Sequence, residues 1–278
     1  MQDAFAYCAA LVRAADHDRY LAALFAPADR RDALFALYAF NIEVARVREA
    51  AREPMPGEIR LQWWGEVVGG ERAEEARANP VAAALMAAIE RHHLPIAKFA
   101  ALIAAHRFDL YNEPMTDMAE FDGYARRTSS ALISLAARVL ADDDAEAAAN
   151  PAGIALSIMN LLRAFPQHAS RGQLFQPLDV IERRGASAED IFAGRVSGGL
   201  RAALGDMRDL AQEHLASARE PIGILPREAL PAFLPVALVR PSLDLLSRSD
   251  PFSPRELSPW RRQWLIWRAA RNPARIAR

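Results

Sequence analysis

Between Ile154 and Phe165 the apolar residues Ile154, Ile158, Leu161, Leu162 and Phe165 recur at the spacing of one face of an α-helix. A second stripe carries Ser157, Asn160, Arg163 and Ala164, and would reach Gln167 and His168 if the helix continued. Pro166 lacks a backbone donor and crowds the preceding turn, so a kink or a stop is expected there. Elsewhere alanine and leucine dominate, β-branched runs are scarce and period-two alternation is nowhere sustained. These patterns predict an all-α fold.

Punctuating residues divide the rest of the chain. Helices are expected over about 4–15 and 20–25, and over 30–49 after Pro27 and Asp29. The segment EPMPG at 53–57 reads as a turn before a helix carrying Leu61, Trp64 and Val68, which Gly69 and Gly70 close. Asn79 and Pro80 read as the cap and first-turn proline of a helix to His92, and another follows Pro95 to Leu110. Long helices are expected over 120–140 and 198–218, and Pro221, Pro226, Pro231 and Pro235 punctuate two shorter ones. No linker rich in Gly, Ser or Pro interrupts the chain, so one domain over 1–278 is expected.

At 278 residues and 52% hydrophobic, the chain can bury a substantial core. A net charge of −1 provides no basic field, which argues against a nucleic-acid partner. The single cysteine, Cys8, excludes an internal disulfide framework and fits a reducing compartment. The first 20 residues are too interrupted by charge for a signal peptide, and no apolar run approaches the ~20 residues of a membrane span. The expectation is a cytoplasmic protein, or one lying peripherally on the inner face of a membrane.

The 154–165 helix resembles the second signature helix of the squalene/phytoene synthase family, the head-to-head prenyl transferases. In that family an Asn-x-x-Arg-Asp run, with another Asp four residues on, holds magnesium against a prenyl diphosphate. Here Asn160 and Arg163 stand, but the Asp positions are Ala164 and His168. The run Ala36-Leu37-Tyr38-Ala39-Phe40 resembles the approach to the family's first motif, whose Asp positions fall on Ala45, Arg46 and Glu49. Carboxylates at i and i+4 share a helix face and grip divalent cations with oxygen, which Ala45 and Arg46 do not offer. Trp64, Asp109-Leu110 and Leu174 to Asp179 match the family further. Asp16 to Tyr20 lies where the family has a Ser-Phe-Tyr segment that helps hold the diphosphate, and only the Tyr fits. The resemblance covers roughly residues 5–270 and implies an isoprenoid-synthase-type helical bundle around an apolar central cavity.

The departures are patterned. Arg163-Ala164-x-Pro166-x-His168-x-Ser170-Arg171, then Phe175-x-Pro177-x-Asp179, resembles a branch of the family that includes a mitochondrial complex I assembly factor. That resemblance implies a non-catalytic assembly or binding factor, with a respiratory-complex subunit as partner and no cofactor. Two alternatives stand beside it. One is an active prenyl transferase using magnesium. The other is an isoprenoid or lipid binder in which Arg46, Arg48 and Arg163 hold a phosphate directly.

Tyr38, Asn41, Glu49, Asp109, Asn160 and Arg163 are the candidates for the cavity, although Tyr38 and Asn160 could equally be satisfied core polar residues. An inward Arg163 needs a carboxylate (Glu43, Glu49 or Asp109) or a bound anion, and its removal from a buried pair would cost ~3 kcal/mol or more. The acidic run Asp142 to Asp144 with Glu146 reads as capping and solvation, and His92-His93 has no metal-ligand spacing. Ser129 and Ser130 lack the glycines of a nucleophile elbow. Near the end of the sequence, Trp260, Trp264 and Trp267 fall on one helix face, flanked by Arg261, Arg262 and Arg268. Either the indoles pack on the core, or the face contacts a membrane through tryptophan at the water boundary and arginine at anionic headgroups. Burial separates the two.

Overall fold

The computed structural model describes residues 1–51 and 53–278. Among the described residues, helices and helical turns make up the regular structure apart from one bridge between Asp250 and Ser253. In chain order the helices are α1 (Gln2–Ala15), α2 (His17–Ala23), α3 (Ala28–Ala45), α4 (Val47–Ala50), α5 (Pro54–Gly69) and α6 (Ala73–Ala78). They continue as α7 (Pro80–His92), α8 (Ile96–Ala105), α9 (Met118–Ala125), α10 (Ala131–Ala141), α11 (Glu146–Arg163) and α12 (Phe165–Ser170). The last are α13 (Leu178–Arg183), α14 (Ala188–Phe192), α15 (Gly198–Gly223), α16 (Val239–Leu246) and α17 (Pro259–Arg271).

Side-chain caps start many of these helices. Asp16, Asn79, Asp117, Ser187, Ser197 and Ser258 each accept from a backbone N–H of the first turn, satisfying a donor the helix leaves open. Gly70 closes α5 at φ 86°, the left-handed conformation that glycine adopts without a Cβ penalty. The segment at 53–57 is not a turn: Pro54 opens α5, because a proline in the first turn sacrifices no helical hydrogen bond. The expected helix over 30–49 is two helices, since the chain leaves α-geometry at Arg46 (φ −95°, ψ 5°). The break after 154–165 falls at Ala164, and Pro166 sits in the first turn of α12.

Along α3, every residue from Ala33 to Phe40 is buried, so this helix is surrounded by others. Phe40 meets Trp64 of α5 edge-on at 5.1 Å and Phe99 of α8 at 5.5 Å, filling the centre with aromatic rings. α11 packs along α15 and against the π-helical turn Arg126–Ser130 that joins α9 to α10. A Cβ on Gly153 would fall 2.5 Å from the Ser130 backbone nitrogen, so only glycine permits that approach. Ser130 Oγ also donates to the Asn150 carbonyl at 3.0 Å.

The 3₁₀ segment Arg227–Leu238 and α16 pack against α10, α11 and α17. Residues Arg227–Leu246 have the length and hydropathy of a membrane span, but 67% of the most apolar 18-residue stretch within them is buried inside the bundle and serves as core.

Candidate functional site

The polar stripe of α11 opens on the junction of α1 and α2. Asn160 and Arg163 line a cleft of about 420 Å³ with Asp16, His17, Asp18 and Arg19 from that junction. Glu256 and Arg262 close it from the α17 side, and Leu156, Met159, Pro235 and Leu238 supply apolar wall.

Two ion-pair systems organise the cleft. In the first, Asp16 accepts from the Arg19 backbone N–H at 3.1 Å and from its guanidinium at 2.5 Å. Burial alone would raise the Asp16 carboxyl, but the Arg19 charge and hydrogen bonds, with Arg163 beyond, hold it below its ordinary range. Arg19 lies 5.8 Å over the Tyr38 ring. Burial pushes the Tyr38 phenol up despite Arg19, which keeps it protonated. Tyr38 therefore supports Arg19 from beneath and is not part of the cleft wall.

In the second system, Arg262 donates through Nε to Asp18 Oδ1 at 2.9 Å and through Nη2 to Asp18 Oδ2. Arg262 also stands 3.8 Å from Glu256, whose other oxygen lies 3.8 Å from Arg163 Nε. Three guanidiniums thus face three carboxylates, and the cleft presents no unmatched cation to a free phosphate. Arg46 and Arg48 do not line it.

Arg163 does not find the partners expected of it. Glu43 is bound to Arg60 at 2.5 Å, and Asp109 accepts from Tyr124 at 2.9 Å and lies 2.6 Å from His106 Nδ1. Glu49 is exposed and loosely placed between Arg46 at 3.9 Å and Arg171 at 3.8 Å. Arg163 is one third exposed and reaches Glu256 instead, so it is not a buried charge. Asn41 is half-buried on α3 and lies outside the cleft wall. Of the six cavity candidates, the structure brings only Asn160 and Arg163 to one cleft.

The positions that the family resemblance assigns to metal ligands are scattered. Ala45 and Arg46 are exposed at the end of α3, and Ala164 sits at the break after α11. His168 packs its ring 4.5 Å from Phe175, in a cluster with Phe108 and Tyr124. Burial lowers His168 to about 4, with Asp109 opposing and Arg171 adding to the effect, so the imidazole is neutral at pH 7. Hard divalent cations need several oxygen ligands, and these positions offer one exposed carboxylate, Glu49, already facing two arginines. They do not fit magnesium.

The family resemblance already points to the Asp16–Tyr20 segment, whereas Glu256 and Arg262 carry little sequence signal as cleft residues. An Asp followed three positions on by Arg between two helices indicates a cap, but nothing local links Arg262 to Asp18. Arg262, expected to flank the tryptophan face, turns inward to Asp18 instead. Trp260, Trp264 and Trp267 are all exposed, with Arg268 stacked over Trp264 at 4.1 Å and Arg261 exposed beside them.

Fold and cleft together define an all-α protein of the isoprenoid-synthase type. A crystal structure of a dehydrosqualene synthase in complex with ligand is similar with a TM-score of 0.81, covering 96% of this chain and 95% of that one at 18% identity. That likeness shows the fold. The squalene/phytoene synthase profile matches residues 12–268, and the chain belongs to that family. Within it, NADH dehydrogenase (ubiquinone) complex I, assembly factor 6 of Homo sapiens is 32% identical over 88% of this chain and 74% of its own length. A phytoene synthase of Thermus thermophilus is 30% identical over 74% of this chain and 72% of its own.

Proposed function

We propose that this protein is a non-catalytic assembly factor for a respiratory NADH dehydrogenase of the complex I type. The observation that carries the reading is the content of the metal-ligand positions: Ala45, Arg46 and Ala164 offer no ligand oxygen, and His168 is a neutral ring packed on Phe175. Metal-assisted departure of diphosphate needs carboxylates on both helices to hold the cations that draw off the leaving group. The similarity to complex I assembly factor 6 supports the same reading. Such a factor would act in the cytoplasm or peripherally on the inner face of a membrane, against a subunit of the complex.

One observation favours a second reading, an isoprenoid- or lipid-binding protein. The cleft sets apolar Leu156, Met159, Pro235 and Leu238 beside charged Asp16, Asp18, Arg163 and Arg262, a mixture suited to an amphiphile. The deciding experiment removes the protein from a cell that carries it and measures assembled complex I by in-gel NADH dehydrogenase activity. The assembly reading expects a loss that re-expression restores. Unchanged complex I, or magnesium-dependent diphosphate release by the purified protein, would overturn it.

A further inference from the structure

Helix α17 has two stripes with opposite fates. Ile266 and Ala269 are buried, and Arg262 on the same side is bound to Asp18. Trp260, Trp264 and Trp267 are 81%, 49% and 44% exposed. At roughly 100° per residue the stripe 262–266–269 and the stripe 260–264–267–271 are centred roughly 200° apart. The indoles therefore project from the outer face, and the reading that packs them on the core fails.

Charge accompanies this face. Residues 257–278 hold six arginines and no Asp or Glu, in a chain whose net charge is −1, so everything before Leu257 sums to −7. Arg268 stacks over Trp264 at 4.1 Å and Arg271 over Trp267 at 4.7 Å, which holds both cations at the exposed ring faces. Among the described residues, Arg261, Arg268 and Arg271 form no ion pair with a carboxylate. α2, packed on α17, is followed by the exposed Leu24 and Phe25.

We propose that the outer face of α17 docks the folded protein on an anionic phospholipid surface. The tryptophans would sit at the boundary between headgroups and acyl chains, where an amphipathic ring is favoured, and the arginines at the lipid phosphates. The helix lies flat on the bundle, so the bilayer meets its side and not its end, the geometry of an interfacial helix. The single sign of charge in residues 257–278, together with three exposed indoles, selects an anionic lipid surface as the partner. The proposal deepens the peripheral placement given above and does not depend on the identity of the client.

The test is co-sedimentation of the full chain with vesicles of phosphatidylcholine alone, and with vesicles containing about a third phosphatidylglycerol. The wild-type protein is expected to pellet with the anionic vesicles about tenfold more strongly than with the zwitterionic ones, and to be released by salt. The exposed-site variant Trp264→Ala/Trp267→Ala is expected to bind about tenfold more weakly with an unchanged unfolding midpoint. Arg261→Gln/Arg271→Gln, which touches no core residue, is expected to lose the preference for anionic vesicles and carries the test if the first variant does not fold. Absence of pelleting, equal pelleting with both vesicle types, or equal binding by wild type and both variants would overturn the proposal. Complex I is not read in this experiment, so a failed assembly reading leaves its result standing.

Discussion

Arg262 in the first turn of α17 and Asp18 in the first turn of α2 form a two-pronged ion pair across 244 positions of sequence. The two side chains are 23% and 15% exposed, largely withdrawn from water. Burial draws the Arg262 guanidinium down, and the hydrogen bonds and charge of Asp18 more than offset it. This pair fixes α17 to the bundle with its tryptophan face outward and closes one side of the cleft.

Removing one partner strands the other in a partly buried place. Asp18→Asn is expected to destabilise the protein by ~2 kcal/mol, below the range for fully buried pairs because some solvent reaches both groups. Urea unfolding of Asp18→Asn, Arg262→Gln and the double variant measures the coupling. Strictly additive effects of the two substitutions would mean the pair contributes nothing of its own.

Arg163 makes the opposite case. Its partner Glu256 is 55% exposed and 3.8 Å away, so water competes for both charges. Arg163→Ala is expected to cost less than ~1 kcal/mol, in place of the ~3 kcal/mol that a buried pairing would imply. A shift in denaturation midpoint as large as that of Asp18→Asn would restore a buried role to Arg163.

Local chemistry in the sequence carried the helices; the site lay mostly beyond its reach. The Asn79-Pro80 start and the Gly70 stop stand where capping rules put them, because those rules involve neighbours within one turn. Arg46 and Ala164 break their helices where the apolar pattern runs on, since pattern alone does not fix the backbone at a helix end. Asn160 and Arg163 were legible as a stripe, but their neighbours Asp18 and Arg262 meet only through tertiary packing. The tryptophan face was legible as a face; its direction required knowing that Ile266 and Ala269 take the buried side.

Prenyl transfer should be absent. Purified protein with farnesyl or geranylgeranyl diphosphate and magnesium is expected to release no diphosphate, because Ala45, Arg46 and Ala164 offer no carboxylate and, among the described residues, no group of three or more His, Cys, Asp or Glu is placed to hold a metal ion. Ala45→Asp/Arg46→Asp/Ala164→Asp is expected to remain inactive. The new carboxylates would stand at two helix ends, and the next position along, His168, is packed on Phe175. Squalene or phytoene formed by the triple variant, detected by mass spectrometry, would show that the scaffold had kept its competence.

His168 should leave a signature in the pH dependence of stability. Burial holds the folded imidazole at about 4, whereas the unfolded one titrates near the ordinary histidine value of 6.5. Between those values the unfolded state binds the extra proton, so stability is full above pH 6.5 and is lost as pH falls toward 4. Between pH 7.5 and pH 5 the loss attributable to this ring is expected to be on the order of 2 kcal/mol, and His92 and His214, also lowered by burial, add in the same direction. His168→Phe keeps a ring against Phe175 and removes the titration. Urea midpoints of wild type and variant at pH 7.5 and pH 5 measure the difference, and the variant is expected to lose less stability on acidification. Equal losses by the two proteins would mean that His168 is protonated in the folded state as readily as in the unfolded one, and the packed neutral ring would be wrong.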